Sequence, residues 1–507
     1  MQETMQKLWA SEGVHKEGAV EYLLSDYEED IKRVLFTDVR HVPSGAYGDT
    51  GECVCLGSVE YHVVYQSVSG RVCCVRFSTE YEMPLAVSEQ TEKGDGRVEL
   101  LSSSVRPVSS RKLMGKYALM ARCHAVVEES TLPGGNAIGC EGTVTLPAQV
   151  HASYYDTAHT DEREYAEELC RSASEGNYLF SEADCRVERV SEASGGVILS
   201  GGITVRSLVE REDAGICTVE KRIPFEEFVV CDGDLDSCEA VGQGSISSLT
   251  VTQRHEEDSY VAVVSLICRF AVHRLGHGSA TVIRDLYSTE YKTEVAYSEK
   301  ECVMEQHLSR VLFPVEVRIA RSELESPEVQ DVLLCHPEIR VNHVVASDGR
   351  VTCRGELHCN TLGRCEDENG TPSYVRNSVR ADIDATAPVA GAKENMRVAP
   401  IYTVARCRAY MEADELVMEA EVEMLAYLTL YKTMRTVRDA DVGDGLKKEL
   451  GAEDVWILYP QTSLWEIAKQ NHLSPRKICE DNNLSFDENK MDSMESVSTA
   501  SHLWIQE

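Results

Sequence analysis

Seven thiols and imidazoles fall within 31 residues of one another: Cys335, His336, His343, Cys353, His358, Cys359 and Cys365. Thiolate and imidazole donors at such density are the raw material of a zinc site, which needs four of them in a tetrahedron. The spacing argues against it, because no CysXXCys knuckle and no His-x3-His pair is present. Cys53 and Cys55 put two thiols on one face of an extended segment, as a redox pair would require, yet the same alternation describes two buried core positions. Acidic runs at Glu28 to Asp30 and Arg163 to Glu168 offer paired carboxylates for acid and base work, but read as the solvated faces of short helices. No GxSxG elbow, Walker loop or HExxH helix occurs. The expectation is a protein that is not an enzyme, with no catalytic residue, no metal and no cofactor.

The elements that carry these residues repeat. CVCLGSVEYHVV around Gly57, VILSGGITVRSL around Gly201 and VTCRGELHCNTL around Gly355 each place apolar or cysteine residues four and two before the glycine and two, four and seven after it. Period-two alternation marks a half-buried strand, and a central glycine marks a bulge or a close backbone approach. Cys353 and Cys359 therefore stand where the second copy has Leu199 and Val205, as small buried hydrophobes. Leu35, Leu179 and Leu333 each lie 22 residues before their glycine, while Arg284 and Arg438, in VIRD and TVRD, lie 83 after theirs. Offsets held over such lengths imply three homologous units. A further RVLF at Arg310 to Phe313 is out of register, and the first unit has Cys140 and Glu141 where VRD is due.

Each unit opens with a short polar helix or turn (SDYEEDIKRVLF, EREYAEELCRSASEGNYLF, SPEVQDVLL), followed by the glycine strand and an extended segment. A strand pair about a charged turn completes it, as in SLTVTQRHEEDSYVAVVSLICRFAV. The fold class expected is mainly β: three homologous β-rich repeats over 1–150, 151–298 and 299–440, a linker at 441–453, and a small βααβ domain at 454–507.

Composition limits the partners. The 50 Lys and Arg against 85 Asp and Glu leave a net charge of −35, which opposes counterion-release binding to nucleic acid and adsorption on anionic lipid. Nineteen irregularly spaced cysteines fit reduced thiols. MQETMQKLWASEGVHKEG lacks the basic start and apolar run of a signal peptide, and no stretch reaches the roughly 18 apolar residues of a membrane span. A cytoplasmic protein without a membrane span is expected.

In the last domain VWILYP reads as a strand, Ser463 as a helix N-cap with Glu466 completing a capping box, and Ser474-Pro475 as the start of a second helix. Leu503, Trp504 and Ile505 return as a strand. This segment resembles the LysM family through Tyr459, Thr462, Leu464, Trp465, Ile467, Ala468, Asn483 and Leu484. It departs from the family in having Gln461-Thr462-Ser463 where Gly-Asp-Thr is usual, and in lacking any glycine after Gly451. The LysM ligand groove lies between the two loops that flank the helices. The resemblance thus assigns partner binding to Gln461, Thr462 and Ser463 on one side and Asn482, Asn483 and Leu484 on the other, with Trp465 as an aromatic anchor.

Three strand-rich units before such a module resemble the SPOCS-domain proteins of spore-forming bacteria. SDYEEDIKRVLF, GSVEYHVVY, RIPFEEF, RKLMGKYALMARCHAVV and VIRDLYS carry that likeness. The resemblance implies a mother-cell adaptor or scaffold in spore coat assembly, held at the forespore surface by its LysM domain docking on the coat-basement ATPase SpoIVA, and meeting further coat proteins. The alternative it leaves open is a peptidoglycan-binding LysM protein of cell-wall or cortex remodelling.

Overall fold

The computed structural model describes residues 4–10, 13–49, 52–86, 91–160, 162–212, 215–231, 238–256, 258–368, 370–446, 455–458, 462–498 and 500–506. These are mainly antiparallel β-sheet, with two short helices near the C-terminal end. Among them no helix is long and apolar enough to cross a membrane.

The strands fall into three groups of like order. The first holds β1 (Thr4–Ala10), β2 (Val14–Leu23), β3 (Ile31–Asp49), β4 (Glu52–Ser67), β5 (Val72–Ala86), β6 (Thr91–Ser109) and β7 (Lys112–Ser130). β3, β4 and β5 form a meander, while β6 and β7 form a hairpin whose second strand also pairs with β1 and β2. In the second group, β8 (Thr143–His159) and β9 (Arg163–Ser172) precede the meander of β10 (Gly176–Ala193), β11 (Gly196–Arg211) and β12 (Gly215–Val230). They pair with β14 (Ser259–Ser288), partner of β13 (Cys238–Glu256). The third has β15 (Tyr291–Ala320), the meander β16 (Asp331–Ser347), β17 (Arg350–Glu366) and β18 (Pro372–Pro388), and the hairpin β19 (Arg397–Glu412) and β20 (Glu415–Gly445), to which β15 pairs. Last come β21 (Val455–Leu458), α1 (Leu464–Gln470), α2 (Pro475–Asp481) and β22 (Leu503–Gln506), with β21 paired to β22.

In each group alternate residues of the central meander strand close on alternate residues of the hairpin. Cys53, Cys55, Val59 and Tyr61 meet Leu119, Ala121 and Cys123. Val197, Leu199, Ile203 and Val205 meet Val264, Leu266 and Cys268. Val351, Cys353 and Leu357 meet Val422, Met424 and Ala426. The thiols of the CysXCys segment and Cys353 are thus core.

The three central glycines are required by close approach. Gly57, Gly201 and Gly355 lie opposite Pro43, Val187 and Val341, and the partner strand shifts register immediately after each of those residues. A Cβ at Gly201 would overlap the carbonyl oxygen of Arg186, and one at Gly355 that of Arg340. Gly201→Ala is expected to cost about 1–3 kcal/mol through overpacking. Gly445→Ala, where the nearest atom lies 3.9 Å away, should leave the denaturation midpoint unchanged, and urea titration of both variants checks the contrast.

Several expectations are corrected. Arg163–Ser172, expected as a helix, is a strand on the edge of β14, with Tyr165 opposite Leu266. An isolated helix of ten residues is marginal in water, whereas the edge satisfies its backbone. The acidic residues Glu28 to Asp30 lie on no helix face but close and follow a turn at Asp26 and Tyr27: Glu28 accepts the Ser25 N–H at 2.6 Å and Asp30 pairs with Arg111 at 2.6 Å. Positions 150/151 and 298/299 fall inside β8 and β15, so the breaks between strand groups lie earlier, after β7 and after β14. Residues 441–445 of the expected linker continue β20, where Val442 pairs with Thr293; residues 447–453 lie outside the described residues. Val311 and Phe313 of the second RVLF are core residues of β15.

Candidate functional site

The three meanders meet end to end. Leu35 and Phe36, Leu179 and Phe180, and Leu333 and Leu334 form one apolar cluster with Val64, Leu208 and Leu362, which stand seven residues after the three glycines. Phe36 and Phe180 pack edge to face at 5.8 Å. Cross-links reinforce the junction: Thr218 Oγ1 donates to the Leu333 carbonyl at 2.7 Å, and Arg33 Nη2 to that of Tyr374 at 2.8 Å.

Beside this apolar plug lies a buried polar set. Asp38, Glu182 and His336, from β3, β10 and β16, each stand nineteen residues before their glycine. His336 Nδ1 lies 3.0 Å from Asp38 Oδ1, and Arg40 Nε 2.6 Å from Asp38 Oδ2. Arg40 also reaches Glu182 at 3.3 Å, and Arg206 reaches it at 3.0 Å. The Asp38 side chain is 0% exposed. Burial alone would push its carboxyl up, but His336 and Arg40 hold it far below the usual range. Burial pulls His336 down, yet Asp38 outweighs it and keeps the imidazole above its ordinary value. Glu182 is pushed up to about 7 by burial and by Asp38, against the pull of Arg40 and Arg206. Two carboxylates and an imidazole so close can exchange a proton or hold a cation.

A cavity of about 1350 Å³ opens beside this set, between strands of all three groups, with Arg40, His62 and His336 among its lining residues. His41 and His273, also on its wall, are lowered by burial to about 4 and about 3, and so are neutral near pH 7. The common offset of nineteen would have found the polar set from sequence, had it been applied to charged residues as well as leucines.

The strands disperse the Cys/His group. Cys335, Cys359 and Cys365 enter one apolar cluster and Cys353 another, His343 is exposed, and His358 bonds to Ser378 at 2.7 Å. His336 alone turns to Asp38.

The residues expected to bind a partner separate in the same way. Gln461 lies outside the described residues. Ser463 caps α1, its Oγ accepting the Glu466 N–H at 3.3 Å. Trp465 is 1% exposed and faces the second strand group, not solvent. Its Nε1 donates to Asp285 Oδ2 at 2.9 Å and its ring packs edge-on to Tyr287 at 5.1 Å. Lys469 Nζ bonds the same carboxylate at 2.6 Å, Tyr287 donates to the Leu473 carbonyl at 2.6 Å, and Arg284 pairs with Asp492. VIRDLYS is therefore the seat of the terminal domain. The other VRD element receives the connection after β7, with Gly134 N–H donating to the Arg438 carbonyl at 2.8 Å.

Asn482 is committed as well. Its amide donates to the Trp504 carbonyl at 2.8 Å and accepts the Trp504 N–H at 2.6 Å. Leu484 is half-buried against the domain's core. Asn483, in the left-handed region at φ 53°, and Thr462 are exposed. Trp504, 49% exposed, is the outward aromatic that sequence reasoning placed only as a strand residue. Comparisons with protein-family models, with curated proteins and with solved structures find no match.

Proposed function

We propose that the chain is a non-enzymatic adaptor of spore coat assembly. In this reading the three strand groups are SPOCS-type repeats, and residues 454–507 are a divergent LysM domain that docks on a SpoIVA-type coat-basement ATPase at the forespore surface. The observation that carries it is the seating of the terminal domain on Asp285 and Tyr287. That seat turns Trp465 inward, which removes it as a stacking platform for sugar, and leaves Thr462, Asn483 and Trp504 outward. A half-exposed tryptophan is the kind of residue that dominates protein interfaces. The acidic charge fits a protein partner better than a polyanionic one, and a polymerised partner would gain further affinity from several contacts on one chain.

The test uses the full chain, because a 454–507 fragment would bare the Trp465 face. Calorimetric titration against the purified ATPase should show binding that Trp504→Ala weakens by tenfold or more, roughly 1.4 kcal/mol. Titration against peptidoglycan fragments should show none; binding to the glycan alone would replace this reading with the wall-binding one.

A further inference from the structure

We propose that Asp38, Glu182 and His336 together bind one divalent first-row transition-metal ion, of the zinc or manganese class, where the three strand groups meet. Each group supplies one donor from its first meander strand, and the donor atoms all lie within 4.8 Å of one another. Two carboxylates and one imidazole form a hard to borderline donor set, which suits zinc, manganese or ferrous iron.

Two further observations point to a cation. Both oxygens of Asp38 are buried without a hydrogen bond of acceptable geometry, although Arg40 and His336 stand beside them. Ion pairing without directed hydrogen bonds leaves lone pairs on both oxygens able to accept a metal. Asp38 and Glu182 also bring carboxylate oxygens within 4.8 Å of each other, like charges that a dication between them would hold together. Arg40, at 2.6 Å from Asp38 Oδ2, would stay as the outer partner that orients the carboxylate. Entry is available because His336 and Arg40 line the cavity. Coordination takes a deprotonated imidazole nitrogen, so any proton on that nitrogen is released to solvent as the ion binds.

Cys335, Cys359 and Cys407 pack together in the third strand group and form the competing set of softer donors, so the test must tell thiolate from oxygen and nitrogen. Full-length protein stripped with chelator is titrated with zinc and, separately, with cobalt. One equivalent of zinc should survive gel filtration, and the cobalt form should show weak visible bands without intense thiolate-to-cobalt charge transfer. His336→Gln and the isosteric Glu182→Gln should each weaken binding by more than the roughly 10–100-fold that loss of an outer partner costs. Circular dichroism of both variants would show that the β-sheet persists. Absence of stoichiometric metal, unchanged affinity in both variants, or a charge-transfer band abolished by Cys359→Ser would each overturn the assignment.

Discussion

Trp465→Ala is expected to release the terminal domain from the body of the molecule. The substitution removes an indole that is 1% exposed, its bond to Asp285 and its edge contact with Tyr287. Truncating a buried tryptophan costs about 3–5 kcal/mol, and here the same side chain carries the hydrogen bond and the ring contact to the second strand group. Differential scanning calorimetry should show a new, earlier transition for the domain with the main transition in place, and limited proteolysis should free a C-terminal fragment. Acid and alkali should loosen the same seat. Burial raises the Asp285 carboxyl, but hydrogen bonds from Lys469, Tyr297 and Trp465 outweigh it and hold its pKa low. Its stabilisation is therefore complete above the ordinary carboxylate value and lost as pH falls through the lower folded value. Lys469 is raised, since its bond to Asp285 outweighs burial. Its contribution is complete below the ordinary lysine value and lost as pH rises through the higher folded one. The seat should hold at full strength from about pH 4 to about pH 10. A seat that loosened near neutral pH would contradict the Asp285–Lys469 pairing.

Phe180→Ala should destabilise the molecule through its centre. Phe180 is 0% exposed and meets Phe36 edge to face at 5.8 Å and His62 at 5.8 Å. The expected loss is again about 3–5 kcal/mol. Because the cluster is shared by all three strand groups, the main transition should fall as a whole instead of splitting. Phe228→Ala removes an equally large ring that is 41% exposed, and should cost only about 1 kcal/mol. Guanidinium unfolding followed by circular dichroism, with amide hydrogen exchange of peptides from each strand group, separates the outcomes, since different midpoints among the groups would mean that they unfold independently.

The strands and their faces were legible because alternation survives in side-chain chemistry: Cys353 faces the core as Leu199 does, and the bulge opposite each glycine follows from a missing Cβ. The helix expected in REYAEELCRS was misread because a polar segment with apolar residues at Tyr165 and Leu169 satisfies both periods, and only the open edge of β14 decides between them. The inward commitment of three residues of the terminal domain was hidden for a related reason. Trp465, Asn482 and Leu484 are spent on internal contacts, and a contact between residues 180 apart leaves no local trace. The junction was half legible, its leucines by common offset and its charges overlooked.

The unlike residues at that junction also govern how chains can combine. A closed trio built from three copies of the first group would gather three Asp38–Arg40 pairs without the His336 that also holds Asp38, and three copies of the second would gather three Glu182–Arg206 pairs without the Arg40 that also reaches Glu182. One group of each kind is the combination that completes every one of these pairs, and an exchange of segments between two molecules keeps them all only when it swaps like for like. The choice of partners among the three groups is in this way favoured by complementary charge as well as by the covalent chain.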